Sequence, residues 1–190
     1  DDDNKVSHIN PEVVTQVIQQ IESRFGKMTV TRGSVHTFLG MKFVLNKDKT
    51  VSISMKDYLV DSIKESNLGI CKKAVTPARR DLFDVFEDAP LLPRQQLETF
   101  RSIVAKLPYV ALRARPDLQL AIGFLCTRVA KATTQDQAKL QRVLEYINGT
   151  LDLHLSLGAD NLTNLRTWID ASFSPHPDMK SHTGGVMSFG

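Results

Sequence analysis

The sequence predicts an α+β fold, and three observations lead there. Apolar and polar residues alternate over 35–45 and again over 51–55, the period-two spacing of strands with one buried face. Between 93 and 149 the apolar residues recur at three- and four-residue intervals in three consecutive stretches, as helices packed on one another require. Alternation then returns over 151–157, with short apolar runs at 165–169 and 185–189.

The chain opens on Asp1-Asp2-Asp3-Asn4-Lys5-Val6-Ser7-His8-Ile9. Val6 and His8 would face one way, Ser7 and Ile9 the other, which reads as a tight turn feeding a strand. Adjacent carboxylates repel each other, and hard Mg²⁺, which prefers carboxylate oxygens, relieves that repulsion. Two metals held this way do the work of polymerase phosphoryl-transfer sites. A solvated acidic terminus or an Asp-rich tag is the other reading.

Asn10-Pro11-Glu12 starts a helix: Asn caps it, Pro suits its first position, and an acid sits in its first turn. Val13, Val14, Val17, Ile18, Ile21 and Phe25 share one face, and Gly26 stops it. Such a helix could cover a sheet. Residues 35–45 read as one strand with Val35, Thr37, Leu39, Met41, Phe43 and Leu45 on one side, and 46–49 as a turn into the strand 51–55. Ser54-Met55-Lys56-Asp57 resembles a capping start for a helix with Tyr58, Leu59 and Ile63 inward, ended by Asn67-Leu68-Gly69.

Pro77, Pro90, Pro93 and the charged run Arg79-Arg80-Asp81 mark 70–93 as a surface linker, the predicted internal boundary. The next helix turns Leu97, Phe100, Ile103, Val104 and Leu107 inward until Pro108 disturbs it, at roughly 3 kcal/mol if truly interior. Another opens at Pro116-Asp117 and is apolar on two sides, one of them Leu120 and Phe124. The last takes Thr134-Gln135-Asp136-Gln137 as its capping box and buries Leu140, Val143, Leu144 and Ile147. No internal repeat or low-complexity tract is present.

With 190 residues the chain suits one domain or two small ones. The 24 basic residues exceed the 21 acidic by a net +3, too mild to imply a nucleic-acid partner, so the distribution of charge must carry that argument. Cys71 and Cys126 are isolated, which argues against a disulfide framework or zinc site. The expected compartment is reducing and intracellular, cytoplasm or nucleus. No apolar run approaches a membrane span, so no membrane partner is expected, and no signal peptide is seen. The final Gly185-Val186-Met187-Ser188-Phe189-Gly190 reads as a strand without a partner. Both ends look cut, as in a fragment of something longer.

Asp170 closes the apolar run of Leu165-Arg166-Thr167-Trp168-Ile169 and is followed by small residues. That is a natural metal-ligand position, and spacing alone favours the commoner helix-cap or turn Asp. Basic residues cluster in the linker (Lys72, Lys73, Arg79, Arg80) and along the helices (Arg101, Lys106, Arg113, Arg115, Arg128, Lys131, Lys139, Arg142). This surface suits phosphate contacts, or it is a solvated helical face. The five histidines share no ligand spacing, Cys126 reads as core, and no phosphate-cradling glycine loop or Ser/His/Asp elbow is present.

Taken in order, these motifs resemble the reverse transcriptase and the start of the ribonuclease H domain of copia-type retrotransposon polyproteins. Asp2-Asp3-Asn4-Lys5-Val6-Ser7-His8 is similar to the family's hairpin motif of an aromatic, Val and two Asp. Phe38-Leu39-Gly40-Met41, Met55-x-x-Tyr58 and Val75-Thr76-Pro77-Ala78 resemble the segments that follow it. Val104-Ala105-Lys106-Leu107-Pro108-Tyr109, Arg113-Ala114-Arg115-Pro116-Asp117 and Leu144-Glu145-Tyr146-Ile147-Asn148-Gly149-Thr150 resemble its connecting helices. Trp168-Ile169-Asp170-Ala171-Ser172 and Lys180-Ser181-His182-Thr183-Gly184-Gly185 resemble its first ribonuclease H strand and the turn after it. The chain departs from the pattern at Asp1, where the family has Val, and at Pro108, where it has Leu.

The resemblance implies three parts: the C-terminal half of a polymerase palm with its following hairpin and helix (1–69), a linker and helical thumb or connection (70–150), and the first strands of a ribonuclease H-like domain (151–190). It implies Asp2 and Asp3 as paired polymerase carboxylates and Asp170 as the first ribonuclease H carboxylate, with Mg²⁺ or Mn²⁺ as their metal. It implies Lys106, Arg113 and Arg115 as contacts to an RNA/DNA template–primer. The family's first palm Asp, its nucleotide-binding residues and the remaining ribonuclease H carboxylates have no counterpart here, so this chain without the remainder of its polyprotein is expected to be inactive. A non-enzymatic basic nucleic-acid-binding module and an inert retroelement remnant are the alternatives.

Overall fold

Capping chemistry marks both ends of the first element. In the computed structural model, which describes residues 4–176 and 178–190, helix α1 spans Pro11–Phe25, the Asn10 side chain accepts from the Glu12 N–H, and Gly26 at φ 91° closes the end. None of its residues is buried, so the helix forms but does not cover a sheet. The alternation before it makes no strand: residues 4–8 are irregular and exposed, and neither sheet pairs with them. A period-two pattern becomes a strand only where a neighbour takes up its hydrogen bonds. Asp1, Asp2 and Asp3 lie outside the described residues.

The predicted single strand 35–45 is two, β1 (Val35–Phe38) and β2 (Met41–Leu45), paired antiparallel with Phe38 opposite Met41. Leu39 and Gly40 have φ of 50° and 72°, the positive pair that a tight hairpin turn requires. The turn also changes which residues face inward. Residues opposite each other share a face, so Phe38 and His36 join Met41 and Phe43, while Val35 and Thr37 turn outward. β3 (Val51–Ser54) follows the turn at 46–49, and β4 (Leu155–Leu157) pairs with it to finish a four-stranded sheet in the order β1-β2-β3-β4.

Helix α2 (Lys56–Glu65) begins after Met55, which supplies no side-chain cap; the expected cap Ser54 stays in β3. Met55 and Leu59 are buried instead, so apolar packing fixes where the helix starts while no side chain caps its first N–H groups. Segment 70–93 lies against the helices that follow. The Ala74 N–H donates to Glu145 O at 3.1 Å and the Leu92 N–H to Ala132 O at 2.9 Å.

α3 (Arg94–Ala111) runs straight through Pro108. Proline has no N–H for the Val104 carbonyl, and the Cys126 thiol takes that place at 4.0 Å. A 3-10 turn, Pro116–Leu118, leads into α4 (Gln119–Arg128), which buries Ala121, Ile122, Phe124 and Leu125 but leaves Leu120 about half exposed. α5 (Thr134–Gly149) is capped one residue earlier than expected, by Thr133 with Asp136. The Asp136 carboxylate accepts the Thr133 N–H at 2.8 Å, which the longer Gln137 side chain is not needed for. These helices share one core, around Phe100, Ile103, Leu107, Leu118, Leu125, Leu140 and Leu144, continuous with Met41, Ile53 and Leu59 of the sheet side.

Beyond it lies a two-stranded hairpin, β5 (Arg166–Ser172) and β6 (His182–Ser188). The last strand therefore has a partner. Asp170 sits inside β5 rather than at its end, opposite Gly184.

Candidate functional site

Two of the motif stretches meet in space. The turn Arg115-Pro116-Asp117 and the end of α5 hold a buried guanidinium between them. Arg115 is 1% exposed. Its Nε and Nη2 donate to the Asp117 carboxylate at 3.0 and 2.8 Å, while Nη1 and Nη2 donate to the carbonyl and hydroxyl of Thr150 at 3.1 and 2.8 Å. The Tyr146 ring lies 5.5 Å away, and Thr150 Oγ1 donates to Tyr146 O at 2.8 Å. Burial pushes the Asp117 carboxyl upward, but the Arg115 bonds and charge outweigh it and hold the group below the usual carboxylate range. Arg115 thus has no face left for a phosphate: it pins α5 to the turn after α3.

The other two expected contacts are nearer solvent. Lys106 holds Glu65, tying α3 to α2, and that carboxylate keeps its ammonium above the ordinary lysine value. The Arg113 guanidinium stacks 3.8 Å over the Tyr109 ring, whose hydroxyl donates to Leu39 O at 2.8 Å. Tyr109 thereby steadies the hairpin turn as well as presenting Arg113.

Of the expected metal-ligating carboxylates, Asp170 lies among the described residues and Asp2 and Asp3 do not. Asp170 is exposed on the hairpin, and its Oδ1 accepts the Ala171 N–H at 2.9 Å. Among the described residues no three His, Cys, Asp or Glu side chains come together to hold a metal ion. The residues described here do not by themselves fit a Mg²⁺ site. No helix among them is long and apolar enough to cross a membrane.

Two histidines that share no ligand spacing do meet. The loop between β5 and β6 brings His176 Nε2 to 2.5 Å from His182 Nε2, with Phe83 packed on both rings at 4.7 and 5.2 Å. This contact docks the hairpin on the helical body, and only a folded hairpin could reveal it. Burial, then the charge of His182, holds His176 below the ordinary histidine value; Asp178 opposes that shift and Lys180 adds to it. A histidine with a lowered pKa stabilises the fold fully above its unfolded value, and loses that contribution as pH falls through the lowered one. The emission of Trp168, the sole tryptophan, should therefore shift toward longer wavelength as pH falls below the ordinary histidine value of about 6.5 and the hairpin loosens. His176→Gln should flatten the shift. Emission of the wild-type chain that ignores pH would count against the dock.

No protein-family profile matches the chain, and no solved structure matches it. Its sequence relatives are informative. It is 26% identical over 188 residues to the uncharacterized mitochondrial protein AtMg00810 of Arabidopsis thaliana, covering 99% of this chain and 75% of that one. It is 24% identical over 189 residues to the putative transposon Ty5-1 protein YCL074W of Saccharomyces cerevisiae, covering 98% of this chain and 59% of that one. It is 23% identical over 189 residues to the Retrovirus-related Pol polyprotein from transposon RE1 of Arabidopsis thaliana, covering 99% of this chain and 12% of the polyprotein. Over nearly its whole length the chain is thus a homologue of retrotransposon polyproteins, of which it corresponds to a limited part.

Proposed function

We propose that this chain is a segment of a retroelement RNA-directed DNA polymerase, carrying the end of its reverse transcriptase and the beginning of its ribonuclease H region. The observation that carries this reading is the similarity to a Pol polyprotein across 99% of the chain, with the hairpin, helical and Asp170 motifs in order. In the parent, Asp2, Asp3 and Asp170 would take part in holding Mg²⁺ or Mn²⁺ together with carboxylates from the remainder of the polyprotein. The helices of 94–149 would contact the template–primer. Alone, the segment completes neither active site, because two-metal chemistry needs every bridging carboxylate.

The isolated chain should therefore bind an RNA/DNA hybrid at low salt yet extend no primer with Mg²⁺ or Mn²⁺. Template-dependent extension would overturn the incompleteness. Absence of hybrid binding at low salt would overturn the polymerase reading.

A further inference from the structure

We propose that the groove between segment 72–82 and α5 binds the sugar-phosphate backbone of a nucleic-acid strand. The proposal rests on the polymerase reading and assigns its contact surface to residues other than Lys106, Arg113 and Arg115. The groove has a volume of about 470 Å³. Lys72, Lys73 and Arg79 line it from one side, Lys139 and Arg142 from α5. Asp81 and Glu145 are the acidic residues of its lining, and Asp136 and Asp84 also act on Lys139.

Backbone bonds hold the two walls together. Asn148 Nδ2 donates to Lys72 O at 3.1 Å, and the Ala74 N–H donates to Glu145 O at 3.1 Å. Arg142 is pinned by Nε to Thr76 O at 3.0 Å and by Nη2 to Thr76 Oγ1 at 3.1 Å. These two bonds fix its guanidinium against the segment wall. Lys139 donates to Asp84 O at 2.5 Å and sits 4.6 Å from the Phe124 ring centre.

Lys56, Lys106 and Arg94 each hold a carboxylate partner. Among the described residues, none of the five groove cations forms an ion pair, and Glu145 takes its side-chain bond from Gln141 at 3.0 Å instead. Like charges kept together without partners repel, and a polyanion relieves them. No aromatic ring lines the walls, so the groove offers no stacking platform for bases. What it offers is cationic N–H donors along two elements, which suits repeated phosphates without regard to sequence.

The test is fluorescence anisotropy of a labelled RNA/DNA hybrid of about 20 base pairs, titrated with the full chain over a range of salt. Lys72, Lys73 and Arg79 are exposed, so K72E/K73E/R79E should fold. It should bind at least about tenfold more weakly at low salt, with a shallower dependence of log affinity on log salt. The Lys106→Gln/Arg113→Gln variant should lose less affinity than the groove variant. If the triple variant unfolds, Lys72→Gln/Arg79→Gln carries the test, with a loss of several-fold expected. Equal binding by wild type and groove variants, or a larger loss in the Lys106/Arg113 variant, overturns the groove and leaves the polymerase reading standing. Absence of wild-type binding overturns both. Polyglutamate competing as well as unlabelled hybrid, charge for charge, overturns the choice of nucleic acid in favour of an acidic protein partner.

Discussion

Asp117→Ala should lower the stability of the folded chain by about 3 kcal/mol, the cost of leaving a buried charge without its partner. Arg115 is 1% exposed and Asp117 28% exposed as side chains, so the pair stands between buried and surface behaviour, nearer the buried. The arginine cannot swing out to water, because its other donors are committed to Thr150. Arg115→Lys should also destabilise, since a single ammonium cannot reproduce a planar fork that serves Asp117 and Thr150 together. Denaturant titration measures both variants. The pH dependence follows from the lowered Asp117 pKa: the stabilisation is complete above the ordinary carboxylate value of about 4 and is lost as pH falls through the lowered one. A loss below about 1 kcal/mol for Asp117→Ala, the scale of a surface ion pair, would show that the clasp contributes little.

That clasp also marks the limit of what the sequence could say. Arg115-Pro116-Asp117 and Tyr146 to Thr150 stood out as motifs, but 35 residues separate Arg115 from Thr150, and nothing local joins them. Arg115 consequently read as a surface cation. Local chemistry was legible where it acts over three or four residues: Asn10 capping α1, and the apolar stripes of α3, α4 and α5. It failed where periodicity has no view of pairing. Leu39 continues the alternation through the turn, so the spacing puts Val35 and Thr37 on one side with Met41 and Phe43, a side that His36 and Phe38 share instead. It failed again with charge. The sequence marked clusters of Lys and Arg, but only the fold separates Lys106, held by Glu65, from Lys72, Lys73 and Arg79, which share a groove.

Phe124→Ala should cost more than the clasp, about 3–5 kcal/mol, because a 1% exposed ring leaves a cavity that the surrounding helices cannot fully close. It should also do something that most core truncations would not. Phe124 meets Phe83 edge-on at 5.7 Å and stacks at 5.9 Å on His176, so one side chain belongs both to the helical core and to the histidine pair that seats the β5–β6 hairpin. Two measurements separate these roles. Chemical denaturation reads the core, and acrylamide quenching of Trp168 in the folded state reads the hairpin. Phe124→Leu should keep most of the volume and cost less than about 1.5 kcal/mol, yet it removes the ring faces and should raise quenching nearly as much as Phe124→Ala. Leu107→Ala, fully buried in α3, should destabilise by about 2–5 kcal/mol without changing quenching. If quenching instead tracks stability across all three variants, the hairpin is held by the general cohesion of the core. The His176–His182–Phe83 contact would then be a consequence of its position and not the cause.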